Sequence, residues 1–182
     1  MKLKIPELKK QLKKYEQKEL IQLISDIYKN NKDVQTYFSV HFLGEQAVEE
    51  VFNQTKKKIE NEFFPEKGFG KLRLNQAKKS ISEFKKLTGD ELRTTNLMLY
   101  YVEQGVHFTN TYGDIDENFY YSMETMYEKV ITICNKEEEY FKAFADQLEQ
   151  VISDTDGIGW GFHDQLSDLY SDLRYRNKDE NE

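Results

Sequence analysis

The sequence predicts an all-α fold of stacked antiparallel helix pairs, a short α-solenoid, with a compact helical bundle as the alternative architecture. Three observations lead there. Apolar residues recur at 3.6-residue spacing along most of the chain, and no stretch alternates with period two for long enough to demand a strand. Only two prolines and nine glycines interrupt 182 residues, so long runs keep their backbone donors. Two later segments match each other at an offset near 43 residues, within the range of two-helix solenoid repeats.

The elements follow in order. Residues 7–14 and 16–30 read as a short helix and a longer one. In the second, Leu20, Leu23, Ile24, Ile27 and Tyr28 fall on one stripe. Residues 34–43 read as a third helix, stopped by Gly44. A longer helix over 45–64 carries Val48, Val51, Phe52, Ile59 and Phe63, and Pro65 ends it, since the residue before proline leaves the α region. After a glycine-bearing loop, a helix over 75–87 turns Ala77, Ile81 and Phe84 inward.

Leu97 to Val102 is continuously apolar, so the helix over 91–110 is expected at the centre of the fold. Asp114 with Glu117 has capping-box spacing ahead of a helix over 117–135. Helices over 137–153 and 162–174 complete the chain. Their inward stripes are Tyr140, Phe141, Phe144, Leu148 and Val151, then Phe162, Leu166, Leu169, Tyr170 and Leu173. A single all-α domain is expected over 1–176, with a polar tail over 177–182.

The repeat aligns the segment from Thr111 with the segment from Thr155. With one deletion, Gly113 matches Gly157, Phe119 matches Phe162, Met123 matches Leu166 and Tyr127 matches Tyr170. Leu97 and Tyr101 match Tyr140 and Phe144 at the same offset, and Phe84 and Gly70 extend the pattern backward more weakly. One helix pair cannot bury its own stripe, so consecutive pairs share a core.

Composition sets bounds. Apolar residues are 38% of the chain, supplemented by twelve Tyr, twelve Phe and Trp160, whose rings bury large areas. Cys134 is the lone cysteine and sits in an apolar run, so it reads as a buried structural thiol. No apolar region follows the basic start MKLKIPELKK, and no run is long enough to span a bilayer, so a cytoplasmic location is expected without membrane contact. Charge is segregated. Residues 1–87 hold 19 Lys+Arg against 12 Asp+Glu, a net +7, and residues 88–182 hold 7 against 21, a net −14. Such asymmetry marks a polyanion-binding end, a head-to-tail contact or solvated helix faces.

The motifs Phe63-Phe64-Pro65, Gly70-Lys71-Leu72-Arg73-Leu74, Leu97 to Glu103 and Gly157 to Asp164, with the opening helix Glu19 to Tyr28, resemble a bacterial domain-of-unknown-function family, number 6155 of that series. The likeness covers nearly the whole chain. It implies no activity, substrate or cofactor.

Two segments are candidate sites. The basic segment 56–86 has ten Lys/Arg and four acids. Within it Lys67, Lys71 and Arg73 surround Gly68 and Gly70, with Lys78 and Lys79 beyond. A glycine-rich loop entering a helix can offer N–H groups and cations to phosphate, which suits nucleic acid or a phosphorylated ligand. No Walker motif is present, and a solvated loop and helix face is the preferred reading.

The second is Gly157 to Asp164, where three glycines alternate with Ile158, Trp160 and Phe162. Trp160, His163 and Asp164 stand at i, i+3 and i+4 and could form a small pocket or a partner contact. The preferred alternative is a packed turn with Trp160 plugging the end of the stack.

No cofactor and no metal is expected. His41, His107 and His163 form no zinc motif. Asp114-x-Asp116-x-Asn118 departs from a calcium loop at Phe119 and Thr125. No nucleophile elbow occurs, and His107 with Asp114 or His163 with Asp164 would serve acid–base chemistry only if the fold joined them. Asp164, Asp168 and Asp172 read as a solvated face. The sequence thus favours a helical scaffold that binds a protein partner, with polyanion binding and an enzyme site near Trp160 and His163 as alternatives.

Overall fold

The computed structural model describes residues 3–176, so the polar tail expected over 177–182 lies outside the described residues. The described residues form nine helices and no strand: α1 (Ile5–Leu12), α2 (Gln17–Asn30), α3 (Lys32–Leu43), α4 (Glu45–Phe63), α5 (Leu74–Thr88), α6 (Glu91–Tyr112), α7 (Glu117–Cys134), α8 (Glu138–Asp154) and α9 (Phe162–Ser171). All nine coincide with the helices read from periodicity, with ends shifted by three residues or fewer. The sequence reads as one domain over 1–176; by its internal contacts the chain divides into two compact units, Met1–Val48 and Glu49–Glu182.

In the first unit, α2 and α3 pack against each other. Asn31 caps α3, its side chain accepting from Asp33 N and Val34 N. Gly44 ends α3 with φ of 62°, which glycine adopts without a Cβ penalty. No residue of α1, α2 or α3 is buried.

The second unit holds the core. Its helices form the antiparallel pairs α6–α7 and α8–α9, preceded by α4 and α5, which meet through the Phe52 and Phe84 rings at 6.0 Å and the Glu62–Arg73 ion pair. α6 packs against α5, α7 and α8, and α7 also packs against α8 and α9. Ten residues of α6 are buried, among them Leu97, Leu99, Tyr101 and Val102, as the continuous apolar band predicts. Gly105 lets α7 approach, because a Cβ there would collide with the Met123 side chain.

Matching positions of successive pairs lie side by side. Arg93 Nη2 donates to Glu49 Oε2 at 3.2 Å, Lys78 Nζ to Ser122 Oγ at 3.0 Å, Gln147 Nε2 to Glu103 Oε1 at 3.4 Å and Asn110 Nδ2 to the Asp154 carbonyl at 2.7 Å. Every one of these links joins residue i to residue i+44. The pairs thus follow one another in sequence order, and the spacing agrees with the period near 43. Phe119 and Phe162, Met123 and Leu166, and Tyr101 and Phe144 are buried in both partners of the alignment. Tyr127 is fully buried whereas its match Tyr170, on the last described helix, is half-buried.

Two local expectations change. The N-cap of α7 is Asp116, whose side chain accepts from Phe119 N, while Asp114 accepts from the Tyr120 hydroxyl instead of capping. Leu169 and Tyr140 are half-buried, not core residues. Cys134 is fully buried, its Sγ faces the Tyr140 carbonyl at 3.8 Å, and burial pushes its thiol up to about 11.

Candidate functional site

Antiparallel pairing puts the three loops within pairs on one edge of the second unit. These are residues 64–73 between α4 and α5, 113–116 between α6 and α7, and 155–161 between α8 and α9. Direct contacts confirm that they adjoin. The Phe69 ring lies 6.4 Å from the ring of Tyr112, at the end of α6. Gly159 passes close enough to Asp114 that a Cβ at 159 would sit 3.3 Å from Oδ2.

The first and third loops are each held by polar links to a buried side chain, Glu62 and Thr155. In the first, Arg73 donates through Nε and Nη2 to both carboxylate oxygens of Glu62, at 2.9 and 2.8 Å, and Glu62 is itself buried. The Leu72 N–H bonds the Glu62 carbonyl at 2.9 Å, with Leu72 at φ 49°. Gly70 presses on the Phe63 carbonyl, where any Cβ would clash. The side of this loop that faces Tyr112 is aromatic: Phe64 lies 4.6 Å from the His107 ring and 6.2 Å from Tyr112.

In the third loop, Thr155 is buried and donates to the Ile152 carbonyl at 2.7 Å. Its oxygen also meets His163 Nδ1 at 2.9 Å. The threonine proton is spent on Ile152, so Nδ1–H is the donor in this contact. Trp160 has φ of 64° and is 64% exposed. It does not plug the stack: Phe162 fills the interior instead, 4.9 Å from Tyr120.

The edge therefore presents one exposed aromatic per pair. Phe69 is 83% exposed, Tyr112 52% and Trp160 64%. Around them charge is graded. Lys67 and Lys71 stand exposed on the first loop, and Asp114, Asp156 and Asp164 stand exposed at the second and third. The two segments singled out in the sequence thus share one edge. Trp160, His163 and Asp164 are neighbours in sequence, but no hydrogen bond among the described residues joins them. His107 packs against Phe64 with the rings tilted by 37° while Asp114 bonds Tyr120, so that acid–base pair is not assembled.

The basic set splits. Arg73 and Lys78 line a cleft of about 610 Å³ at the start of α5, facing Ser122, Thr125 and Lys129 of α7. Lys78 bonds Ser122, whose hydroxyl meets the Tyr101 hydroxyl at 2.8 Å. Burial pushes the Tyr101 phenol up to about 12, so it stays protonated in this network. Lys79 pairs with Glu83 along α5 at 3.7 Å. Lys67, Lys71 and Lys79 do not line the cleft. Lys129 went unnoticed in the sequence because its partners in the cleft lie about 50 residues away; Tyr112 went unnoticed because it reads as the first residue of an ordinary loop.

Among the described residues no group of three His, Cys, Asp or Glu could hold a metal ion, and no helix is long and apolar enough to cross a membrane. The family model for DUF6155, a family of unknown function, matches residues 3–173, almost the whole chain. The chain belongs to that family. Neither the curated proteins nor the solved structures contain a match. DUF6155 thus carries no activity to transfer, and a functional reading of this member stands on its own edge and cleft.

Proposed function

We propose that the chain is a small helical scaffold, its three pairs forming a short α-solenoid, that binds a protein partner along the loop edge. The observation that carries this is the row Phe69, Tyr112 and Trp160, one exposed ring from each successive pair. Aromatic residues concentrate binding energy at protein interfaces. Exposed rings contribute little to the fold, and Trp160 also holds left-handed backbone, which costs a non-glycine residue about 1–2 kcal/mol. Cost without packing gain is the mark of a position kept for contact. The graded charge would orient the partner along the row. A reducing cytoplasm suits the single buried Cys134. No catalytic step is assigned.

The test is capture from native lysate at several salt concentrations with wild type and with Trp160→Ala/Tyr112→Ala. The reading expects a stoichiometric partner that the double variant fails to retain. Equal retention by both proteins, or no partner at any salt, removes it.

A second reading has its own observation, the cleft between α5 and α7. Lys78 and Lys129 place two cations there beside hydroxyl and amide donors, a set suited to a phosphate-bearing ligand, including nucleic acid. Salt-titrated binding of DNA and RNA tests it. Affinity that falls with salt, and falls further in Lys78→Ala/Lys129→Ala, supports it, and salt-independent or absent binding ends it.

A further inference from the structure

The first unit has an unusual property: three helices, 34 residues in all, and no buried side chain in any of them. Yet α2 is strongly amphipathic. Leu20, Ile21, Leu23, Ile24, Ile27 and Tyr28 cover an arc of about 160° at 3.6 residues per turn. α3 covers only part of that arc. A groove of about 730 Å³ remains between the two helices, lined by Ile21, Ile24, Tyr28, Phe38, Phe42 and Leu43. Its wall is ordered by ring contacts, Tyr28 to Phe38 at 6.2 Å and Phe38 stacked on Phe42 at 5.6 Å.

Helices of this length are marginal alone in water, and their stability comes from burying the apolar face. We propose that two copies of this chain bury it against each other, α2 and α3 of each forming an intermolecular four-helix bundle about a two-fold axis. Two observations select a second copy as the occupant.

The first is area. Ile21, Leu23, Ile24, Ile27, Tyr28, Phe42 and Leu43 are between 38% and 72% exposed, averaging about half. At roughly 200 Å² per large side chain they present about 700 Å². That exceeds the ~300–600 Å² of the largest apolar patch on an ordinary monomer and approaches the ~800 Å² per partner of a stable interface.

The second is charge. Lys29 is the one charged residue lining the groove, and Asp26 of the same helix neutralises it at 3.6 Å. A two-fold axis sets identical faces together, so an isologous contact needs a face without net charge. This face meets that condition. A strongly charged partner would find nothing complementary on it.

The groove and the loop edge share no residue, and their tests are independent. Sedimentation equilibrium of the full chain at tens of micromolar should give twice the 21.7 kDa chain mass. Amide exchange in α2 and α3 should slow as concentration rises. Phe42→Glu and Ile24→Glu, both at exposed positions, should leave amide protection of α6 and α7 at the wild-type level and raise the dimer dissociation constant about 100-fold or more. Trp160→Ala/Tyr112→Ala should remain dimeric. Three results would each overturn the proposal: a monomeric wild type, whatever else covers the face; a dimer unaffected by Phe42→Glu and Ile24→Glu; or exchange in α2 and α3 that ignores concentration.

Discussion

Arg73 grips both carboxylate oxygens of Glu62, one helix end away, through Nε at 2.9 Å and Nη2 at 2.8 Å. The guanidinium is largely exposed, and the carboxylate is buried. The pair closes the α4–α5 loop and fixes the ground from which Phe69 projects. Removing the arginine leaves a buried carboxylate short of its main donors, the costly kind of loss. Arg73→Ala should lower the thermal midpoint by several degrees and open residues 64–73 to proteolysis. Arg73→Lys should restore only part, because an ammonium cannot span two oxygens as a planar fork does. Thermal melts of the three proteins decide this.

Gly105 of α6 faces Met123 of α7 where no Cβ has room. Gly105→Ala should therefore destabilise by about 1–3 kcal/mol through overpacking, despite alanine's better helix propensity. In a Met123→Ala background the same change should cost much less, since the colliding side chain is gone. A double-mutant cycle by urea unfolding measures the coupling.

Trp160 offers a test in which stability and binding part company. Its φ of 64° favours glycine. Trp160→Gly should leave stability unchanged or raise it by up to about 1 kcal/mol, while abolishing retention of the partner. Loss of stability instead would place Trp160 in a packing role.

Glu103 supplies the pH dependence. Burial raises its carboxyl above the ordinary value, the Lys56 ammonium opposes this and Asp154 adds to it. A carboxyl raised in the native state takes up its proton there first, so its contribution to stability worsens as pH climbs above the ordinary glutamate value. Glu103→Gln keeps an acceptor for Gln147 and removes the half-buried charge. The variant should be the more stable protein at neutral pH, and the difference should vanish below the ordinary glutamate range. Urea titrations at pH 3.5 and 7.5 check both halves.

The helices were legible because periodicity is local. Leu97 to Val102 announced the central helix, and Pro65 and Gly44 announced ends that the backbone confirms. The repeat was legible through matched core positions such as Phe119 and Phe162. Exposure was not legible. The stripe of α2 has the spacing of a core face, and nothing in it says that it stays exposed. Trp160 read as a plug because tryptophan is usually buried; the left-handed turn that swings it outward arises from the surrounding glycines acting together. Arg73 read as a solvated side chain or a candidate phosphate contact because its partner Glu62 lies 11 residues back, across a loop whose path no pattern discloses.

The central claim is that the loop edge is the working surface. Site-specific photo-crosslinking in living cells tests it most directly, with the reactive group at position 160 or 112, and at position 168 on the outer face of α9 as control. The account predicts one discrete heavier adduct from 160 and 112 and none from 168. No adduct from 160 and 112, or the same adducts from 168, would contradict it.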